Sequence, residues 1–386
     1  MDCFNKPVSR LKTASAKWNF DDEHILSFSI ADSDYPTAPA VIKALKKRCD
    51  HGIFGYTRID DEYRAIIVRW FAKRYRYQIQ ADWLVPTAGI VPSIALAIET
   101  FTNEGDAILI QPPVYNPFYT VIEATKRETI LNKLICRNYH YEMDFADLEK
   151  HFKNGVKMMI LCSPHNPVGR VWTKEELTLV VALCKKYQVV LFSDEIHCDF
   201  VLYDQAFVSL GQFIPEFSHL IIGTAPSKTF NLAGLKTANL VIPDDDFRTR
   251  YLEQMERHFA SLPNLMGITA CKAAYSDGEE WLEKQLQHLR NNHHLAVQFL
   301  SSHLPQVGIA KLEGTYLLWL DLRFLNMKGE DICHGLKALG MIVNEGQNYG
   351  RECNGFIRIN LACPQSYLEK GLLILEKFIN SQTKTS

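Results

Sequence analysis

Along the middle of the chain, short apolar runs alternate with longer stretches that are apolar on one side only. Ala107 to Ile110 follows the turn Asn103-Glu104-Gly105-Asp106 and reads as a strand. Val156 to Cys162, Val189 to Ser193 and His219 to Gly223 repeat the pattern. Between them, Thr173 to Tyr187 has helical periodicity and opens on Thr173 and Glu176, a capping box in which each residue satisfies the other's free donor. Strands separated by helices of this length pair in parallel, so the pattern predicts an α/β fold with a doubly wound sheet.

After about residue 265 the pattern changes. A helical stretch over 277–303 precedes a strand-like segment, Gly308 to Leu322, and a helix near Gly329 to Leu339. Strands then follow at Met341 to Glu345 and, alternating, at Gly355 to Leu361, and a last helix runs from about Pro364 to Asn380. This predicts a smaller α+β domain over 271–386, following a large domain over 46–270. Residues 1–45 are too few to fold alone and read as an arm joining the small domain.

Composition narrows the function classes. The net charge is −2 and no basic stripe is present, which argues against nucleic acid as a partner. No apolar run reaches the ~18 residues that span a bilayer; Leu177 to Phe192 comes nearest and is broken by Lys185-Lys186. The start, Met1 to Pro7, lacks the charged-then-apolar layout of a signal peptide. Ten cysteines form no C-x-x-C pair, which disfavours zinc, and several sit inside apolar runs as free thiols do in a reducing cytoplasm.

In sheets of this kind ligands bind at the carboxyl ends of the strands. Three successive ends carry an amide in Ser163-Pro164-His165-Asn166-Pro167, a carboxylate in Ser193-Asp194-Glu195-Ile196-His197, and an amine in Thr224-Ala225-Pro226-Ser227-Lys228. A lone lysine in a loop is uninformative. Amine, amide donor and carboxylate together are the parts that hold pyridoxal phosphate. Lys228 would bond the aldehyde and move the Cα proton. Asp194 would keep the pyridine nitrogen protonated, Asn166 would donate to the phenolic oxygen, and His197 could reach the same oxygen. Glu195, pointing the other way, is structural. Thr87-Ala88-Gly89-Ile90-Val91 closes a strand and opens a helix whose N–H groups suit a phosphate, with Ser227 and Lys236 adding a hydroxyl and a cation. Tyr115 is placed to stack on the ring, and Arg358 to clamp an α-carboxylate.

With these residues in view, the sequence resembles the fold-type I pyridoxal-phosphate enzymes of the class I/II aminotransferase family, and within it the cystathionine β-lyase (C–S lyase) branch. The likeness runs nearly end to end. It is carried by Ala31-Asp32-Ser33-Asp34-Tyr35-Pro36, Gly55-Tyr56, Ser163 to Gly169, Asp194-Glu195-Ile196-His197 and Ser227 to Leu235. The resemblance implies a mainly parallel, seven-stranded, doubly wound large domain. It implies that Lys228 is the Schiff-base lysine, assisted by Tyr115, and that Ala88, Gly89 and Ile90 line the cofactor site. Ala31 and Asn166 then lie on the substrate side with Arg358. It also implies a homodimer in which Tyr56 reaches the other subunit's phosphate. The expected activity is β-elimination from cystathionine or related S-substituted cysteines. An aminotransferase, using the same residues, and a cofactor-binding regulator are the competing readings. The family usually has serine or threonine where Ala225 stands.

Overall fold

The computed structural model describes residues 3–20, 22–261 and 263–383; Met1 and Asp2, where the expected arm begins, lie outside them. Seven strands form the large sheet in the order Leu84–Thr87, Ala238–Val241, Leu220–Thr224, Val190–Asp194, Met158–Cys162, Ala107–Ile110, Glu128–Leu131. The last five pair in parallel, and Ala238–Val241 runs antiparallel to both of its neighbours. The sheet is therefore mainly parallel and seven-stranded, as expected.

Alternate residues of the central strands feed two separate apolar clusters, one on each face of the sheet. Met159, Leu161 and Leu191 face one cluster, and Met158, Ile160 and Phe192 face the other. A period-two strand with both faces covered by helices has no polar position to spare, which is why these segments read as continuous apolar runs. Their boundaries match the expected ones within two residues. The helix Lys174–Tyr187 carries the predicted capping box, with both hydrogen bonds of Thr173 and Glu176 formed.

The second sheet orders Gly308–Ile309, Leu317–Asp321, Phe356–Asn360 and Asn344–Glu345, all antiparallel. The segment read as one strand over 308–322 is thus two, and the helical stretch over 277–303 begins after Gly278, which separates helix Leu265–Asp277 from Glu279–His303. Phe356–Asn360 was expected to alternate; all five of its residues are buried, because Arg358 lines a cavity and Asn360 is hydrogen-bonded to the backbone of Ile30 and Asp32. Leu26–Ser27 pairs in parallel with Met341–Ile342. Residue 45 falls inside helix Pro39–His51, which packs on Leu265–Asp277, and residue 270 falls inside the latter helix.

Among the described residues, no helix is long and apolar enough to cross a membrane, and no group of His, Cys, Asp and Glu could hold a metal ion. All ten cysteines are free.

Candidate active site

Three neighbouring strands bring the chemistry together. Cys162, Asp194 and Gly223 lie side by side in register, so Asp194 ends the middle strand and its neighbours run on into the turns bearing Asn166 and Lys228. Above these ends lies a cavity of about 490 Å³. Ala31, Tyr115, Asn166, Asp194, His197, Lys228 and Arg358 line it, and Ala88, Gly89, Ile90, Ser227 and Lys236 line its phosphate end. Of the residues singled out from sequence, Tyr56 alone is elsewhere: it is 97% exposed and does not border the cavity in this chain.

Lys228 sits in the short helix Pro226–Thr229, which is tied down from below. Thr229 Oγ1 donates to Asp199 Oδ2 at 2.8 Å, and Asp199 Oδ1 pairs with Arg74 Nε at 3.0 Å. The Lys228 side chain opens to the cavity and Nζ donates to the Ala31 carbonyl at 2.7 Å. Burial pushes its amine down to about 8; Arg358 adds to this, while Asp32 and Asp194 oppose it. Asp194 moves the other way: burial raises its carboxyl to about 7, against the Ile196 N–H and the Lys228 charge. Its Oδ1 accepts from Ile196 N at 3.0 Å, while Oδ2 has no donor among the described residues. A cation at Oδ2 would be strongly favoured there. Glu195 does turn away, accepting from Ser193, Ser209 and the Leu210 N–H beneath the site.

Asn166 is oriented by Arg358, whose Nη1 donates to Asn166 Oδ1 at 3.0 Å. With its oxygen engaged, the amide presents Nδ2 as a donor. The turn is held by His165, whose N–H donates to Arg170 O at 2.8 Å and whose Nε2 donates to Pro113 O at 2.8 Å. Arg358 lies over the Tyr349 ring, 5.1 Å from its centroid, and Nη2 donates to Ser29 O at 2.6 Å. Among the described residues its Nε is buried without a partner, and so is Nδ1 of His197. Burial, then the charges of Lys228 and Arg358, holds His197 well below its ordinary pKa, as a neutral ring 5.6 Å from Tyr316. Tyr115 packs edge-on to Phe118 at 5.7 Å; burial and Asp194 push its phenol up to about 12.

At the other end, helix Ile90–Phe101 has no side-chain cap. Gly89 precedes it at φ +153° and ψ 162°, a backbone setting essentially closed to side chains. Lys236 has no anionic partner and Ser227 no hydrogen-bond partner for its hydroxyl among the described residues, so both are available, with the free N–H groups of Ile90 and Val91, to an anion. An uncapped helix start with a cation, a carboxylate oxygen awaiting a cation, and unpartnered buried donors match the two ends and the substituents of pyridoxal phosphate.

Several lining residues were not foreseen. Asn344, Asn348 and Tyr349 come from the small sheet and the turn after it, and Asn116 from the residue beside Tyr115. The sequence pattern attached no chemistry to 346–350. The arm segment Ser29–Asp34 is stitched across the site. Asn360 Nδ2 donates to Ile30 O at 2.7 Å and Asp32 O at 2.8 Å, Tyr316 donates to Ala31 O at 3.0 Å, and Asn231 Nδ2 donates to Ser33 O at 2.9 Å. Behind the segment, Arg10 grips Asp32 and Asp34, and buried Lys17 and the Trp18 indole donate to Asp34 at 2.7 and 2.8 Å.

The chain matches the family "Aminotransferase class I and II" over residues 23–373. It is 35% identical to cystathionine beta-lyase PatB of Bacillus subtilis (strain 168), over 96% of this chain and 97% of that protein. Among solved structures, cystalysin from Treponema denticola, which contains a pyridoxal 5′-phosphate cofactor, superposes with a TM-score of 0.95 at 32% identity, covering 98% of both chains. The PLP-bound C-S lyase from Staphylococcus hominis superposes with a TM-score of 0.92 at 30% identity, covering 97% of both.

Proposed function

The chain belongs to the class I and II aminotransferase family, and on that premise we propose that it is a pyridoxal-phosphate-dependent carbon–sulfur lyase acting on S-substituted cysteines. The observation that carries this reading is Lys228: an amine held near neutrality, opposite Asp194, in a cavity that also contains a carboxylate clamp. When bound, pyridoxal phosphate supplies an aldehyde that takes up amines covalently and a cationic ring that draws electron density from the attached amino acid.

The chain's own groups do the rest. Ile90 and Val91 N–H, Ser227 and Lys236 would hold the phosphate, Asp194 would keep the ring nitrogen protonated, and Asn166 Nδ2 would serve as donor to the ring oxygen. Tyr115 would cover the ring face. Arg358 binds the α-carboxylate, setting the Cα–H bond toward Lys228. Lys228 in its neutral form removes the Cα proton. The Cβ–S bond then breaks, its electron pair leaving with sulfur, and the thiolate takes up a proton. The remaining 2-aminoacrylate is hydrolysed to pyruvate and ammonia.

We also propose that the working form is a cytoplasmic homodimer, with Tyr56 of the partner subunit reaching the phosphate. In support, Ile53 and Phe54 are exposed beside Tyr56, at 66% and 59%, an apolar stretch suited to burial against a second copy.

The wild type should release pyruvate and thiol from S-methylcysteine or cystathionine with no 2-oxo acid supplied, and Lys228→Ala should release none. Pyruvate at wild-type rate from Lys228→Ala, or strict dependence on a 2-oxo acid acceptor, would reject the lyase reading.

A further inference from the structure

Two donors meet on one backbone oxygen beside the cavity. Lys228 Nζ donates to the Ala31 carbonyl at 2.7 Å, and the Tyr316 hydroxyl donates to the same oxygen at 3.0 Å. A carbonyl oxygen has two lone-pair sites, so these donors fill it. The backbone is fixed on either side, because Asn360 Nδ2 donates to the carbonyls of Ile30 and Asp32. All of these contacts are made within one chain.

Tyr316 is presented by a strained turn. The residue before it, Thr315, has φ +68°, a setting rarely taken by a β-branched side chain. It is held there by its N–H, which donates to Phe200 O at 2.8 Å, and by its Oγ1, which accepts from Leu317 N at 3.2 Å. Strain of this kind persists only where the surroundings over-determine it, and it concentrates at working sites. The Tyr316 ring is fully buried, edge-on to Phe200 at 4.8 Å and to His197 at 5.6 Å. Burial holds its phenol well above the ordinary pKa, so the hydroxyl stays a donor through the neutral range.

We infer that Tyr316 is a positioning residue for the Cα proton transfer: through the Ala31 carbonyl it fixes the orientation of the Lys228 amine. This rests on Lys228 as the group that removes the Cα proton, and not on which bond breaks afterwards. Once the substrate's amino group has displaced it, the amine is free to turn about its Cε–Nζ bond. One N–H pinned on Ala31 O confines the lone pair to the directions that face the cavity, where the Cα–H bond stands. The proton passes from Cα to Nζ and the C–H electron pair stays with the substrate. The ammonium so formed keeps the same contact, now a charge-assisted hydrogen bond.

Tyr316→Phe tests this, since it keeps the ring and removes only the hydroxyl. In the holoenzyme, kcat for pyruvate release from S-methylcysteine should fall about tenfold while KM stays within about twofold. The isotope effect on kcat with α-deuterated substrate should increase, because proton removal becomes the slower step. A readout independent of turnover is the rate at which stripped protein takes up pyridoxal phosphate, followed by absorbance against pH. Without the hydroxyl, the full acceptor strength of Ala31 O goes to Lys228 and favours its ammonium form, so a profile that levels off near 8 in the wild type should move up by about half a pH unit. Asp32, Asp194 and Arg358, the charged groups acting on the amine, are the same in both proteins, and His197 stays neutral beside it. Phe200→Leu loosens the packing of the Tyr316 ring but keeps the hydroxyl; it should lower stability and leave the uptake profile in place. A kcat within about twofold of wild type in Tyr316→Phe, an unmoved uptake profile, or an equal shift in Phe200→Leu each overturns the inference. Pyruvate at wild-type rate from Lys228→Ala overturns the role of Lys228 instead, whatever Tyr316→Phe does.

Discussion

Desolvation decides the behaviour of the two residues at the heart of the cavity, and it acts on them in opposite senses. Burial disfavours charge on both, so Lys228 falls to about 8 and Asp194 rises to about 7. The neutral amine is the form that attacks an aldehyde, so its fraction sets how fast stripped protein takes the cofactor back up. Followed by absorbance after rapid mixing, that rate should climb nearly tenfold per pH unit below about 8 and flatten above it. A rate that rises unchanged to pH 10 would show Lys228 titrating like a solvated lysine. That Lys228, Asp194, Asn166 and Arg358 would meet at one cavity was legible in the sequence because each lies in a strand or shortly after the end of one, where position constrains direction. Which atom of Asn166 faces the cavity was not legible. That depends on Arg358 Nη1, which reaches Asn166 from 192 residues away.

Elements were legible in proportion to how locally they are determined. The capping box of Lys174–Tyr187 and the turn before Ala107–Ile110 are written within a few residues, and both elements form where expected. The arm obeys no local rule. It contains the two-residue strand Leu26–Ser27 and is otherwise held by side chains distant in sequence, among them a cluster of Arg10, Lys17, Asp32 and Asp34 that no periodicity announces. Lys17 and Asp34 have side chains 0% and 1% exposed and lie 2.7 Å apart. Removing one member of a fully buried pair strands the other's charge. Lys17→Met should therefore lower stability by roughly 3–5 kcal/mol, read from denaturant unfolding. A loss under about 1 kcal/mol would mean that Arg10 alone can neutralise both carboxylates.

At the scale of the molecule, the proposed exchange of Tyr56 between copies makes activity a property of pairs. Tyr56→Phe and Lys228→Ala should each be impaired alone. Mixed, unfolded and refolded together, they should recover activity toward about a quarter of the wild type, since half the pairs are hybrid and each hybrid has one intact site. Recovery of none would place the function of Tyr56 within its own chain. The overall architecture was the most legible level of all, because alternating strand and helix leaves few ways to build a parallel sheet. What no pattern foretold is how the last part of the chain completes the first: Arg358 and Asn360 fasten Ser29 and Ile30 across 329 and 330 residues. During synthesis, therefore, the front wall of the pocket has Asn231 and Tyr316 to hold it at first but is not fully fastened until nearly the whole polypeptide has left the ribosome. A nascent chain should have its large sheet assembled well before it can retain the vitamin, and reactivity should arrive late and all at once.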